Sequence, residues 1–130
     1  MRRMAIGIAT LLLAATGSAQ APAPFLIFFD WAKPDPTRDA AAVLDAVAAA
    51  YRDDPRALRL AGHSDRSGGE AVNRRSSRQR AETVRAALVE RGIPRDRISV
   101  DAYGERQLIV ATADGVREAQ NRRVEISFAR

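Results

Sequence analysis

The sequence contains no cysteine and only one histidine, His63. The lack of cysteine excludes disulfides and thiolate metal sites, and a lone histidine excludes an imidazole-rich metal centre. Aromatic residues make up only 5% of the chain, and its basic residues are interleaved with acidic ones. Nucleic-acid-binding surfaces instead combine basic clusters with exposed aromatics. We therefore expect no metal, no cofactor and no nucleic-acid partner.

The composition is that of one globular domain. The chain has 130 residues, of which 46% are hydrophobic and 28% charged, which is enough apolar material for a single core. The formal net charge of +5 favours contact with an acidic surface such as a cell wall or an outer membrane.

The N-terminal residues are typical of a secretory signal. Arg2 and Arg3 precede an apolar stretch over Met4–Ala15, and small residues lie at 17–19. This pattern predicts a signal peptide over 1–19, cleaved after Ala19; the stretch is short for a membrane span, although an uncleaved anchor stays open. No cysteine follows, so the acylated lipoprotein route is closed. A proline-rich spacer over 20–24 then leads into a domain over 25–130.

Hydrophobic periodicity predicts the order β-α-β-α-β-β. Period-2 or compact apolar runs indicate strands, and apolar residues at helical spacing indicate helices. We expect strands at 25–29, 57–62, 98–103 and 124–128, a helix after an N-cap at Thr37, and a second helix over 70–91. Residues 107–120 are expected to form a loop with one short helix. The predicted fold is an α/β (α+β) sandwich, with a small mixed sheet and two main helices on one face.

The second predicted helix carries polar residues on its inward stripe. At 100° per residue, one face collects Asn73, Ser77, Arg80, Val84 and Leu88. A buried arginine is costly unless it is paired, so Arg80 needs an anion. That anion is either an internal carboxylate, from Asp65 or Asp30, or the carboxylate of a ligand.

The preceding loop, 62–69, follows the carboxyl end of a strand, which is a common ligand site in α/β sheets. Asp65 in this loop either caps the helix or pairs with Arg80, or it accepts hydrogen bonds from a ligand ammonium. An acid and an arginine facing one pocket suit a zwitterionic amino acid. The run His63-Ser64-Asp65 is not a catalytic triad, because adjacent residues cannot align a nucleophile, base and orienter; we expect no enzyme.

Four segments in register carry a family resemblance, together with the opening Phe28-Phe29-Asp30. They are Gly62-His63-Ser64-Asp65-x-x-Gly68, Asn73-x-x-Ser76-Ser77-x-x-Arg80-Ala81, Tyr103-Gly104-Glu105 and Asn121-Arg122-Arg123-Val124. Over about 25–128 the chain resembles the OmpA-like C-terminal domain, a family that includes the peptidoglycan-associated lipoprotein and flagellar stator cell-wall anchors.

The resemblance implies a domain that binds the meso-diaminopimelate residue of the peptidoglycan stem peptide. Its zwitterion would be held by Asp65 and Arg80, and the other implied site residues are Asn73, Asp30, Ser64 and Arg122. Ser64 keeps a hydroxyl where threonine is commoner. Arg122 shares strand parity with Val124 and should point inward; a pocket role and a strand-end salt bridge both stay open. Ser76 replaces the usual leucine, which should remove a core side chain.

The predicted function is therefore non-covalent peptidoglycan binding that anchors or tethers at the cell wall. The alternative is a periplasmic protein–protein adaptor with a degenerate wall-binding pocket. We expect an exported protein of the periplasm or outer membrane of a Gram-negative bacterium, with an outer-membrane partner and the oligomeric state left open. If Asp65 and Arg80 serve a ligand, they should lie near solvent in the empty protein.

Overall fold

The computed structural model describes residues 22–130, so the predicted signal peptide and the first two spacer residues lie outside the described residues. The strands are β1 (Phe25–Phe28), β2 (Leu58–His63), β3 (Ile98–Gly104) and β4 (Arg123–Phe128), and the helices are α1 (Ala40–Asp53) and α2 (Glu70–Glu90). Two short 3-10 helices, Arg95–Arg97 and Ala119–Asn121, precede β3 and β4. The predicted element order is confirmed, including the single short helix in the last loop.

The four strands form one mixed sheet in the order β1-β4-β2-β3. β2 and β3 are parallel, while β4 runs antiparallel to both β1 and β2. The prediction of a mixed sheet is thus confirmed. The compact apolar run at 25–29 predicts a buried strand, but β1 lies at an edge of the sheet, with Ile27 buried and Phe28 only half-buried.

The core lies between the two helices and the sheet. The apolar residues predicted at helical spacing supply one side of it, and alternate residues of the strands supply the other. Its main members are Ile27, Phe29, Leu44, Val47, Leu58, Leu60, Val84, Leu88, Val124 and Ile126. Helix α1 begins at Ala40, later than the expected N-cap at Thr37 implied; the carbonyl of Thr37 accepts the amide of Ala40 at 3.1 Å instead. Within residues 22–130, no helix has the length and apolar character needed to cross a membrane.

The N-terminal half of α2 packs very closely on the ends of β2 and β3. A Cβ atom at Gly62 would lie 2.0 Å from the backbone oxygen of Ser77, so only glycine allows this approach. The Ser77 hydroxyl accepts the amide of Gly104 at 3.0 Å and donates to the carbonyl of Arg74 at 2.7 Å. The polar half of the α2 stripe is thereby held against the C-terminal ends of β2 and β3.

Candidate ligand-binding site

A cleft of about 130 Å³ opens between the loops after β1 and β2 and the N-terminal half of α2. Its walls are formed by Trp31, Ala32, Ser64, Asp65, Ser67, Gly68, Val72, Asn73, Ser76 and Arg80. A second part, of about 390 Å³, shares Ala32, Ser76 and Arg80 and extends to Lys33, Pro34 and Gln79. We refer to both parts together as the Arg80 cleft. Four of the six predicted site residues line it: Ser64, Asp65, Asn73 and Arg80.

Arg80 is a buried cation without a carboxylate partner among residues 22–130. The residue is only 5% exposed, and its Nε finds no hydrogen-bond partner in the described part of the chain. Nη1 donates a long bond, 3.4 Å, to the carbonyl of His63, and the guanidinium lies 5.5 Å from the centre of the Phe29 ring. Burial lowers the pKa of Arg80, partly opposed by the charge of Asp65. The side chain has both the charge and the free donors to bind an anion.

Asp65, by contrast, is fully hydrogen-bonded inside the protein. Oδ1 accepts the amide and the hydroxyl of Ser67, at 3.1 and 2.6 Å. Oδ2 accepts the amide of Glu118 at 3.1 Å and Nη1 of Arg122 at 2.8 Å. These four donors match the roughly four acceptor positions of a carboxylate. Burial acts to raise the pKa of Asp65, but the hydrogen bonds from Ser67 and Arg122 outweigh it and hold the pKa below its usual value.

The internal partner of Asp65 is therefore Arg122 and not Arg80. Arg122 points inward, as strand parity predicted, and its Nε also donates to the carbonyl of Phe29 at 3.0 Å. It lies behind Asp65 and is not among the residues that line the cleft. Residues that serve a ligand were expected to lie near solvent in the empty protein, but Asp65 and Arg80 are only 2% and 5% exposed. The opposite expectation, that they are buried because they pair with each other, does not describe the structure either, since Asp65 pairs with Arg122. Both belong to the floor of the cleft, where the loop after β2 meets α2.

Asn73 and Ser64 hold that loop in place. Nδ2 of Asn73 donates to the carbonyl of Gly68 at 2.9 Å, and the hydroxyl of Ser64 donates to the carbonyl of Asp65 at 2.9 Å. A Cβ at Gly68 would lie 2.8 Å from Oδ1 of Asn73, so the loop fits closely around that side chain. These two residues shape the cleft as well as line it.

Asp30 is exposed, and the structure does not bring its carboxylate into the cleft. Its side chain makes no hydrogen bond or ion pair within the described part of the chain, and only its backbone carbonyl is used, accepting the amide of Lys33 at 3.2 Å. The chain turns after β1, and this turn directs Asp30 outward while the next residue, Trp31, lines the cleft.

Ser76 lies half-buried on the wall of both parts of the cleft. The expected loss of a core side chain at this position was wrong, because residue 76 faces the cleft and not the core.

Arg66 was not predicted, and it fixes the long loop after β3. It donates to Oε2 of Glu105 at 3.2 Å and to the carbonyl of Thr112 at 2.9 Å, and it pairs with Asp114. This loop carries Glu118, whose amide bonds Asp65. An arginine in a loop gave no sequence signal for such a role, because its partners lie 39 to 48 residues away.

His63 is fully buried beside the site. Because burial changes the pKa of a histidine, the pH dependence of stability tests whether His63 is buried. Its ring stacks on Tyr103 at 5.3 Å, and Nε2 lies 3.4 Å from Oε2 of Glu125. Burial, reinforced by the charge of Arg123 and opposed by Glu125, lowers the pKa of His63 to about 4.

A histidine with a lowered folded-state pKa stabilises the fold above its unfolded pKa and loses that contribution in acid. We expect the free energy of unfolding to fall between pH 6.5 and about 4, by up to about 3 kcal/mol from this residue. Denaturant unfolding across this range should show a shallower pH dependence for His63→Gln. Equal slopes for the two proteins would contradict the lowered pKa.

Sequence comparison shows to which protein family the chain belongs. The OmpA family pattern matches residues 28–122. The chain belongs to the OmpA family. An outer membrane protein of Gluconacetobacter diazotrophicus is 36% identical over 116 residues, which cover 82% of this chain and 31% of that protein. The chain thus spans about a third of the length of this curated relative.

Solved structures share the fold. The peptidoglycan-associated lipoprotein of Burkholderia pseudomallei matches with a TM-score of 0.73 at 25% identity, covering 80% of this chain and 89% of that one. The cell wall anchor of the type VI secretion system of Pseudomonas aeruginosa matches with a TM-score of 0.62 at 27% identity, covering 78% and 75%. As a member of this family, the chain is a non-enzymatic domain of the type associated with the bacterial cell wall.

Proposed function

We propose that the protein binds peptidoglycan non-covalently through the meso-diaminopimelate residue of the stem peptide. The observation that carries the proposal is Arg80, which is buried in a cleft without a carboxylate partner among residues 22–130. A buried, unpaired cation is unfavourable, and a ligand carboxylate would relieve this cost with charge-assisted, bidentate hydrogen bonds.

Asp65 supports recognition of the ammonium group of the same zwitterion. Its Oδ1 is held by Ser67, whose neutral hydroxyl also lines the cleft. A ligand ammonium would replace that hydroxyl, because a charge-assisted bond is stronger than a neutral one. Arg122 and Glu118 would keep Oδ2 in place meanwhile. The carboxylate and the guanidinium then bind opposite ends of one amino-acid centre.

The proposed location of the protein rests on its relatives and on its N-terminal sequence. The relatives named above are an outer membrane protein, a lipoprotein and a cell wall anchor, which supports association with the periplasm or outer membrane of a Gram-negative bacterium. The signal-like residues 1–19 support export, with cleavage after Ala19.

Ligand identity is tested with three stem peptides that differ at one residue. A lysine peptide keeps the ammonium but lacks the carboxylate that Arg80 binds, and a peptide with that carboxylate amidated keeps the size but loses the charge. We expect the diaminopimelate peptide to bind at least about a hundredfold more tightly than either, because two charge-assisted bonds are worth roughly 1.5–3 kcal/mol each. Calorimetry measures the three affinities.

Equal affinities for the three peptides would exclude the proposed role of Arg80. Sedimentation with purified sacculi distinguishes the two candidate functions. Peptidoglycan binding predicts that the protein co-sediments with sacculi, whereas a protein–protein adaptor would stay in the supernatant.

A further inference from the structure

Trp31 is a large aromatic residue that lies 45% exposed at the mouth of the Arg80 cleft. It is the single tryptophan of the chain. Val72, which is 50% exposed, lines the same cleft from α2. Two exposed apolar side chains therefore border the entrance to a cleft whose floor holds Asp65 and Arg80.

Contacts on two sides fix the indole ring in this exposed position. Its Nε1 donates to the hydroxyl of Ser67 at 3.0 Å, and that hydroxyl in turn donates to Oδ1 of Asp65 at 2.6 Å. The guanidinium carbon of Arg117 lies 3.4 Å from the centre of the ring, within the range of a cation–π contact. An aromatic side chain that is both ordered and exposed provides contact area at little cost in conformational entropy.

We propose that Trp31 forms an apolar wall of the ligand site and packs against the methylene chain of the diamino acid whose carboxylate binds Arg80. This inference rests on the proposed function and extends it. Trp31 lines the same small part of the cleft as Asp65 and Arg80, so the part of a ligand that reaches it is the segment next to the charged end. In diaminopimelate that segment is a chain of methylene groups, which suits an indole face and the neighbouring Val72.

The hydrogen bond to Ser67 links the wall to ligand binding. If a ligand ammonium replaces the Ser67 hydroxyl at Asp65, the partner of the indole N–H moves as well. The ligand also buries exposed ring surface. Both changes alter the surroundings of the single tryptophan, so its fluorescence should respond to ligand binding.

The experiment measures binding of the diaminopimelate tripeptide by calorimetry for the wild type, Trp31→Ala, Trp31→Phe and Arg80→Met, with Arg78→Ala as the surface control. Removing a buried aromatic anchor from a binding site weakens affinity by about thirtyfold, which we expect for Trp31→Ala. Trp31→Phe keeps an apolar ring without the N–H, and we expect it to bind within about threefold of the wild type.

Tryptophan fluorescence provides a second measurement. The emission of the wild type should change with the same midpoint as the calorimetric titration, and the emission of Arg80→Met should not change when the peptide is added.

The outcomes separate the two proposals. If the wild type binds and Arg80→Met does not, but Trp31→Ala binds like the wild type, the wall is excluded and the proposed function stands. A Trp31→Phe variant as weak as Trp31→Ala would assign the effect to the bond with Ser67 and would also exclude the wall. A wild type that fails to bind the tripeptide would exclude both.

Discussion

Replacing Arg80 with methionine should reduce the affinity for diaminopimelate peptide at least a hundredfold without lowering the thermal stability of the protein. Methionine keeps most of the length and apolar stem of the arginine, and it removes the charge, all its donors and the contact of the guanidinium with the Phe29 ring. Two charge-assisted bonds of roughly 1.5–3 kcal/mol each would be lost on binding, and each 1.4 kcal/mol is about tenfold. Stability should hold because the variant removes a buried charge that has no carboxylate partner among residues 22–130. Sacculus sedimentation, calorimetry and thermal melts on the same samples measure both effects.

Arg78→Ala is the matched control for this variant. Arg78 lies on the same helix but is exposed and outside the cleft, so its loss should change neither affinity nor melting temperature. An Arg80→Met protein that is folded and binds like the wild type would show that the ligand site is elsewhere. A variant that melts well below the wild type would show that Arg80 chiefly stabilises the fold.

The fold could be predicted almost completely because it depends on local patterns. The spacing of Val84 and Leu88 places one face of α2 in the core, and the alternation of Val124 and Ile126 does the same for β4. Errors occurred at ends: α1 begins at Ala40 because its first amide bonds back to Thr37, a detail of turn geometry that periodicity does not contain. The edge position of β1 was also missed, because the apolar run shows that a strand forms but not which strands flank it.

The site could be predicted only in part, because its contacts join distant parts of the chain. The α2 stripe predicted that Arg80 points inward, and strand parity predicted the same for Arg122. Neither pattern shows which of the two reaches Asp65, 15 and 57 residues away, since that depends on the register of β4 against β2. Trp31 was missed for a similar reason. In the turn that follows β1, Trp31 and not Asp30 faces the cleft, and hydrophobic periodicity does not predict the direction of side chains in a turn.

The pairing found in the structure assigns different tasks to the two arginines. Arg122 pairs with Asp65 and orients it through Oδ2. Arg80 has no carboxylate partner of its own among residues 22–130, although the nearby charge of Asp65 partly stabilises it. Removing Asp65 is consequently a poor test of binding, because it would leave Arg122 unpaired and disturb the fold. The binding function is better tested at Arg80 and the structural function at Arg122.

Replacing Arg122 with methionine should destabilise the domain by about 3–5 kcal/mol, because it leaves the buried carboxylate of Asp65 without its cation. The pair has a 2.8 Å contact and side chains only 11% and 3% exposed, whereas the ion pair of Arg59 with Asp101, at 3.9 Å and 66% and 53% exposed, provides the control. Arg59→Ala should cost about 0–1 kcal/mol.

The lowered pKa of Asp65 makes the effect of Arg122→Met depend on pH. The stability that Asp65 contributes is present above the ordinary carboxyl pKa and is lost as pH falls through the folded-state pKa. The deficit of Arg122→Met should therefore be largest near neutral pH and shrink in acid. Denaturant unfolding of both variants and of the double variant Asp65→Asn/Arg122→Met measures this, and the double variant should regain part of the loss because no buried charge is left unpaired. A deficit for Arg122→Met no larger than that of Arg59→Ala would show that Ser67 and the amide of Glu118 suffice to hold the carboxylate, and that Arg122 does not stabilise the fold through Asp65.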